Sequence, residues 1–280
     1  MTTGAIVVNH NAGDSLFACV TSLVTSGIES IVVVDNDSHD ASLAPVQRAY
    51  PDVRVILSRK NLGYGSAVNL GRAELVDEHI FVCNPDLVID REAPALLAEY
   101  LSHHHDTGVV GPRIFETNGQ VYPSARSFPS ITDAFGHALL SMFWPHNRFS
   151  RRYRFATIGA THAVSADWVS GACFLVCAEA FDAVGGFDER YFMYVEDLDL
   201  CWRLRQIGWR SAYLPAATVV HHGGISAGQH PYRMLVAHHV SAWRFARKSL
   251  TGARSVILPF VFVGVVGRLA VALIRQFGRR

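Results

Sequence analysis

Residues 30–36 read SIVVVDN, four β-branched apolar residues in a row followed by an acid and an amide. A strand with one face in water alternates apolar and polar residues. An unbroken apolar run instead marks a strand covered on both faces, as in a parallel sheet flanked by helices. The same design recurs in AIVVNH (5–10), VRVIL (53–57) and HIFVCNPD (79–86). Segments of helical spacing separate or follow these runs: Asp14 to Thr25, with Leu16, Val20, Leu23 and Val24 on one side, then Leu62 to Val76 and Ala93 to His103. Strands alternating with helices predict βαβ units and a parallel α/β sheet. Ligands bind such sheets at the carboxyl ends of the strands. Three of the runs end there in polar clusters, Asn9-His10-Asn11, Asp35-Asn36-Asp37 and Asn84-Pro85-Asp86, which together outline half of a site.

The second half is less regular. GVVGPRIF (108–115) reads as a strand and NGQ (118–120) as a turn. Residues 123–163 form a long excursion containing Pro, Trp and several arginines. DWVSGACFLVC (167–177) is an apolar strand, AEAFDAVGGF (178–187) a short helix ended by Gly185-Gly186, WRSAYLP (209–215) and ATVVHH (217–222) are strand-like, and 232–250 is helical. With 280 residues, half of them hydrophobic, the chain can bury one large core. A net charge of +1 gives no sign of a general nucleic-acid binder. Cys173 and Cys177 lack the His or Cys pair that would complete a zinc pattern, so they read as core residues. Five scattered cysteines suit a reducing cytosol, and the N-terminus runs straight into a strand, with no signal peptide expected. Ser255 to Ile274 is almost wholly apolar but interrupted by Pro259 and Arg268, and the last residues, RLAVALIRQFGRR, hold four arginines. This reads as a helix lying on or dipping into the cytoplasmic leaflet, with arginines near anionic lipid; the alternative is a helix packed on the protein itself.

Several stretches carry chemistry. Asp35 and Asn36 end a strand with an acceptor and an amide that can pair with the edge of a pyrimidine, while Ser38 and Asp40 suit a helix cap. KNLGYGSAVN (60–69) opens a helix with Gly63 and Gly65, allowing close backbone approach to phosphate, although it is neither a Walker loop nor a full dinucleotide fingerprint. Asp86 ends its strand as a single carboxylate, enough for a cation that is also held by a diphosphate, and Asn84 can hold a sugar hydroxyl. VVHHGG (219–224) ends another strand in two imidazoles, which suit Mn²⁺ and similar ions. YFMYVEDLDLCWR (191–203) crowds Glu196, Asp197 and Asp199 among apolar residues. On a helix over 195–206, Glu196, Asp199 and Arg203 share a face, and the helix dipole stabilises acids at its start. Asp197 points elsewhere, toward Cys201 and Leu204, with no evident structural partner. Aromatic surroundings would raise its pKa and suit it to general-base work.

Taken in order, VVNHN, VVDNDSHD, NLGYGSAVN, CNPD, VSGACFLV, GGFDERYFMYVEDLDLCWRLRQIGW and VVHHGGIS resemble the family 2 inverting glycosyltransferases of the GT-A fold, over about residues 4–250. NLGYGSAVN, VYPSAR (121–126), FWPHN (143–147) and DERYFMYVEDLDL are most similar to actinobacterial rhamnosyltransferases, which move rhamnose from dTDP-rhamnose to a polyprenyl-diphosphate-GlcNAc. The resemblance implies a single Rossmann-like nucleotide-sugar-binding sheet with helices on both faces. It implies a donor half at 1–110, an acceptor and catalytic half at 111–250, and a membrane-associating tail at 251–280. It places His10, Asp35 and Asn36 around the base, Gly63 and Asn84 along the donor, and Asp86 on a divalent cation, Mn²⁺ or Mg²⁺, with His221 completing the sphere and His222 as runner-up. Asn84 stands where the family's first metal-motif acid would be, which puts a metal role there in doubt. Asp197 matches the catalytic base, while Trp168, Gly171, Glu196 and residues 121–126 border the acceptor. The implied partners are a nucleotide-sugar donor, a polyprenyl-diphosphate-linked acceptor and the cytoplasmic face of the plasma membrane, with no nucleic acid; a homo-oligomer stays open. A UDP- or GDP-linked donor, a sugar nucleotidyltransferase and a non-catalytic partner are the competing readings.

Overall fold

The structure, a computed structural model, describes residues 1–128, 159–223 and 231–277. Four strands, β1 (Thr3–Asn9), β2 (Ser30–Asn36), β3 (Arg54–Ser58) and β4 (His79–Cys83), run parallel in the order β3-β2-β1-β4. In β1 every residue from Gly4 to Asn9 is buried, as the unbroken apolar run demands. Successive side chains alternate between two cores. Ile6 and Val8 pack with Tyr64 and Val68 of helix α3 (Tyr64–Arg72), whereas Ala5 and Val7 pack with Leu16, Val20 and Leu23 of α1 (Ser15–Thr25). Fully burying each such aliphatic side chain is worth about 1.5–3 kcal/mol, so a helix on each face is what makes this strand sequence stable. A short α2 (Leu43–Ala49) links β2 to β3, and α4 (Ala93–His103) covers the α1 face.

Beyond β4 the sheet departs from the expected all-parallel order. It continues through β11 (Cys173–Cys177), β6 (Thr107–Glu116), β12 (Arg210–His221) and the three-residue β5 (Leu87–Ile89). β12 is parallel to β6, but β11 runs antiparallel to both β4 and β6, and β5 antiparallel to β12. A run buried on both faces records nothing about its direction. The chain reaches β11 from a small two-stranded sheet of β8 (Ala125–Arg126) and β10 (Trp168–Val169), so it re-enters from the carboxyl ends of the parallel strands and must run back. Two minor strands, β7 (Val121–Tyr122) and β9 (Val164–Ala166), pair with β6 and β12.

Three expected elements change accordingly. The 167–177 run is two strands, β10 and β11, broken at Ser170–Ala172. The two runs over 209–222 are one strand, β12, whose register shifts between Leu214 and Thr218, around Pro215, which has no N–H for the ladder. The helix expected from Leu62 starts at Tyr64, after Gly63 takes a φ of 87°, and ends at Arg72. Residue 110, the expected boundary between donor and acceptor halves, lies inside β6, so both halves share one sheet. Of the 123–163 excursion, 129–158 lie outside the described residues, including FWPHN (143–147); so do 224–230.

Helix α5 (Ala178–Ala183) precedes the loop to α6 (Glu196–Gln206), and α6 packs beside β10 and β12. Helix α7 (Pro231–Ser249) crosses this region and is followed by a 3₁₀ turn (Gly252–Ile257) and α8 (Leu258–Phe277). Pro259 falls in the first turn of α8, where its missing N–H costs nothing. No residue of α8 is buried. One stripe, including Val261, Val265 and Ala272, is partly covered on the α7 side, where Phe262 meets Trp243 and Phe277 meets Tyr232. Phe260, Val263 and Ile274 remain 66–71% exposed. Residues Gly252–Phe277 are long and apolar enough to cross a membrane by length and composition.

Candidate active site

Sheet topology assembles the site. The carboxyl ends of β1, β2 and β4 meet the amino end of antiparallel β11 at a cavity of about 400 Å³. The Asn84 N–H donates to the Ala172 carbonyl (2.8 Å), joining the end of β4 to the start of β11. The pairing of β12 with β5 sets His221 opposite Leu87, the neighbour of Asp86. His221 Nε2 therefore lies 3.0 Å from Asp86 Oδ1 although 135 positions separate them. His222 is exposed, and its backbone N–H donates to the Asp86 carbonyl (2.9 Å).

The other wall comes from residues 191–198. Tyr194 and Val195 both occupy the left-handed region, with φ of 66° and 71°. Such a conformation costs on the order of 1–3 kcal/mol for each non-glycine residue, and it persists because neighbours hold it. Gly63 approaches Phe192 so closely that a Cβ there would collide with the Phe192 carbonyl, and the Tyr64 N–H donates to that carbonyl (3.0 Å). From α7, the Ser241 hydroxyl donates to the Met193 carbonyl (3.0 Å), His238 packs edge-on to Tyr194, and the Arg233 guanidinium lies 4.6 Å from the Phe192 ring centre. This left-handed pair turns the chain into α6 so that Glu196 and Asp197 enter the cavity wall at the positive end of the helix.

Asp197 does have structural partners, contrary to the expectation from sequence. Its Oδ2 accepts the Gly171 N–H and its Oδ1 the Leu198 N–H, both at 2.8 Å. The Tyr64 hydroxyl donates to the Gly171 carbonyl (2.6 Å), fixing that turn from the far side. Burial raises the Asp197 pKa, while the two N–H groups and the Arg126 charge oppose the rise. Glu196 is also buried, and its Oε2 meets no donor among the described residues. Burial, then the adjacent Asp197 charge, push its pKa up to about 8. Asp199, grouped with Glu196 in the sequence reading, belongs to a different structure: it is fully buried and binds Arg203 Nε (2.7 Å), Lys248 Nζ and the Tyr191 hydroxyl.

His10, Asn36, Gly63, Asn84, Asp86, Trp168, Gly171, Glu196, Asp197 and His221 thus share one cavity. Asp35 lies behind the wall, its Oδ1 accepting from Asn9 Nδ2 (2.8 Å). Asn36 is largely engaged by the loop before α3: its Oδ1 accepts the Leu62 N–H (2.8 Å) and its Nδ2 donates to Asn61 and to the Gly63 carbonyl. His10 bridges to the Asn36 carbonyl through Nδ1 at 2.9 Å. Tyr122 and Arg126 line the same cavity, and Arg126 stacks between Tyr122 and Trp168. The sequence reading missed the α7 residues Arg233, Met234 and His238; a helix with basic residues and histidines carries no mark of which face meets a distant cavity.

Asp86 and His221 fit a divalent cation. Neighbouring ligands of an octahedral ion with bonds of about 2.1 Å are about 3.0 Å apart, which matches the observed carboxylate–imidazole separation of 3.0 Å. Among the described residues no third acid, His or Cys joins them. A cation there needs further oxygens, which a diphosphate can supply.

The profile of the family described as Glycosyl transferase family 2 matches residues 5–169. An N-acetylglucosaminyl-diphospho-decaprenol L-rhamnosyltransferase of Mycobacterium tuberculosis is 36% identical, over 98% of this chain and 94% of that one. Among solved structures, a mannosyltransferase from Pyrobaculum calidifontis in complex with GDP-Man and Mn²⁺ superposes with a TM-score of 0.56 at 16% identity, over 97% of this chain and 75% of that one. TarS 1–349 from S. aureus in complex with UDP-GlcNAc superposes at 0.58 and 17% identity, over 94% and 72%. At these identities the structures establish likeness of fold.

Proposed function

The chain belongs to glycosyl transferase family 2, and from that premise we propose that it is a metal-dependent inverting rhamnosyltransferase, moving L-rhamnose from dTDP-rhamnose to a polyprenyl-diphosphate-linked N-acetylglucosamine. The observation that carries the reading is 36% identity along nearly the whole chain to a transferase whose name states that sugar and that acceptor. The geometry supports it, because the Asp86–His221 pair and the half-buried acid Asp197 line one cavity from different elements.

Asp197 is the general base. It takes the proton of the acceptor hydroxyl, and that oxygen attacks the anomeric carbon opposite the leaving nucleoside diphosphate, inverting its configuration in one displacement. Trp168 and the Gly171 turn border the acceptor. Asn84 and Gly63 line the donor, and His10 stacks on the base beside Asn36. Asp86 and His221 would hold Mn²⁺ or Mg²⁺, which would supply positive charge to the leaving diphosphate. Asp86→Ala is expected to weaken Mn²⁺-dependent nucleotide-sugar binding by about tenfold or more; a Mn²⁺ titration matching wild type would remove Asp86 from that role.

The exposed apolar face of α8 supports a peripheral seat on the cytoplasmic face of the plasma membrane, next to a polyprenyl-linked acceptor. Deleting 254–280 should release the chain from membranes on sedimentation, and a truncated chain that still sediments with them rules this out. The function itself is tested by incubating dTDP-rhamnose with a short-chain polyprenyl-diphosphate-GlcNAc and Mn²⁺ or Mg²⁺, reading products by mass. A product heavier by one deoxyhexose is expected. No product with donor bound would keep the transferase and redirect the acceptor; neither product nor binding would overturn the rhamnose donor.

A further inference from the structure

Glu196 lies beside the base, yet the mechanism above leaves it idle. It is 6% exposed and forms part of the cavity wall, with Oε2 unpaired among the described residues. The neighbouring side chains either make their hydrogen bonds or ring contacts elsewhere or carry no charge. The Tyr64 hydroxyl donates to the Gly171 carbonyl. Arg126 donates to the Pro123 carbonyl and the Tyr122 hydroxyl and stacks on Trp168. From α7, Arg233 sits on the Phe192 ring, and His238 is held neutral, its pKa lowered to about 4 by burial and by His239 and Arg268. Burial and the nearby Glu196 charge raise the Tyr194 phenol, which therefore stays protonated. Asp197 already accepts two backbone N–H groups and contributes only negative charge. Its own backbone N–H is the one donor acting on it, and a buried carboxylate with so little compensation is far costlier than a buried carboxylic acid.

We propose that Glu196 works in its neutral, protonated form, donating a hydrogen bond to a hydroxyl of the acceptor sugar and so positioning that sugar for Asp197. This rests on Asp197 being the base of a sugar transfer. The two neighbours then divide the labour: Asp197 must be ionised and Glu196 protonated, so transfer runs only between the loss of the first proton and the loss of the second. Its upper limit follows the Glu196 proton, which burial and Asp197 retain to about pH 8.

Glu196→Gln keeps a neutral donor, whereas Glu196→Ala removes it. On whichever nucleotide sugar the wild type turns over, the alanine variant should raise acceptor KM about tenfold with donor KM unchanged. The glutamine variant should recover most of that loss and lack the decline in kcat/KM above about pH 8. A glutamine variant as impaired as the alanine one, an alkaline limb that persists in it, or a shift in donor KM would each overturn the proposal. Infrared difference spectra test the proton without any turnover. At pH 7 the wild type should show a protonated-carboxyl band that Glu196→Gln lacks, and its absence overturns the proposal even if the donor is not dTDP-rhamnose. Linkage supplies the fold control. A carboxyl whose folded pKa is raised stabilises fully below its ordinary value near 4.5 and loses that contribution as pH rises to about 8. Melting of Glu196→Gln should therefore exceed wild type at pH 8, the gap closing toward pH 4.5; an equal gap at both overturns the neutral-acid assignment.

Discussion

Asp197→Asn is expected to lower the rate of transfer by about two to four orders of magnitude while nucleotide-sugar binding persists. The amide has the same shape but no basicity. Asp197 sits against the Gly171 turn and the Asp86–His221 pair forms a separate part of the cavity lining, so a donor held by that pair should not sense the change. One local cost is foreseeable. Both carboxylate oxygens accept backbone N–H groups, so the new amide nitrogen must face either Gly171 or Leu198, losing one hydrogen bond. A melting curve separates that loss from the chemical one. The pH dependence is a second signature. Because burial raises the Asp197 pKa, activity should climb as pH rises through that value, and the residual activity of the Asn variant should lack this acid limb. Single-turnover rates near wild type in Asp197→Asn would remove the residue from the base role.

The largest loss of stability is expected from Asp199→Ala, about 3–5 kcal/mol, or a melting decrease of roughly 6–10 °C for a chain of this size. Asp199 is fully buried and is the common partner of Arg203, Lys248 and the Tyr191 hydroxyl. Removing it leaves Arg203, at 16% side-chain exposure, without its carboxylate and Lys248, at 22%, with Asp188 alone. Lys248→Met should cost much less, because Asp199 keeps Arg203 and Asp188 keeps Arg190. Denaturant unfolding of both variants checks the order. Equal losses would mean that Lys248, not the acid, anchors the group.

The parallel half of the fold was legible because physics leaves a plain trace there: burial on both faces requires β1, β2 and β4 to be apolar throughout, and strand ends require polar residues. Helix α6 and its acids were legible for a similar reason. Three features were not. The reversal of β11 leaves no trace, since CFLVC reads alike in either direction. The left-handed pair at Tyr194 and Val195 falls on residue types that disfavour it, and only the surrounding packing imposes it. The two donors to Asp197 are backbone N–H groups, which every residue but proline carries, so an acid that looked partnerless by side-chain type is well held. The Asp86–His221 pair shows the converse. Each residue was visible at its own strand end, but only the β5–β12 register brings them together.

The ionic knot at Asp199 has a mechanical meaning. Asp199 lies two residues from Asp197, and Lys248, ten residues before the apolar helix starts at Leu258, is bound to it. If Asp197 is the base, the knot ties the reactive carboxylate to the helix leading into the tail, as one strut. A protein resting its tail on a lipid surface would carry its reaction centre at a constant height above that surface. Such a strut acts as a ruler. A sugar one residue from its lipid anchor could be brought to that height, and a longer glycan would carry its terminal hydroxyl past it, so the number of sugars added would be limited by standoff as well as by recognition.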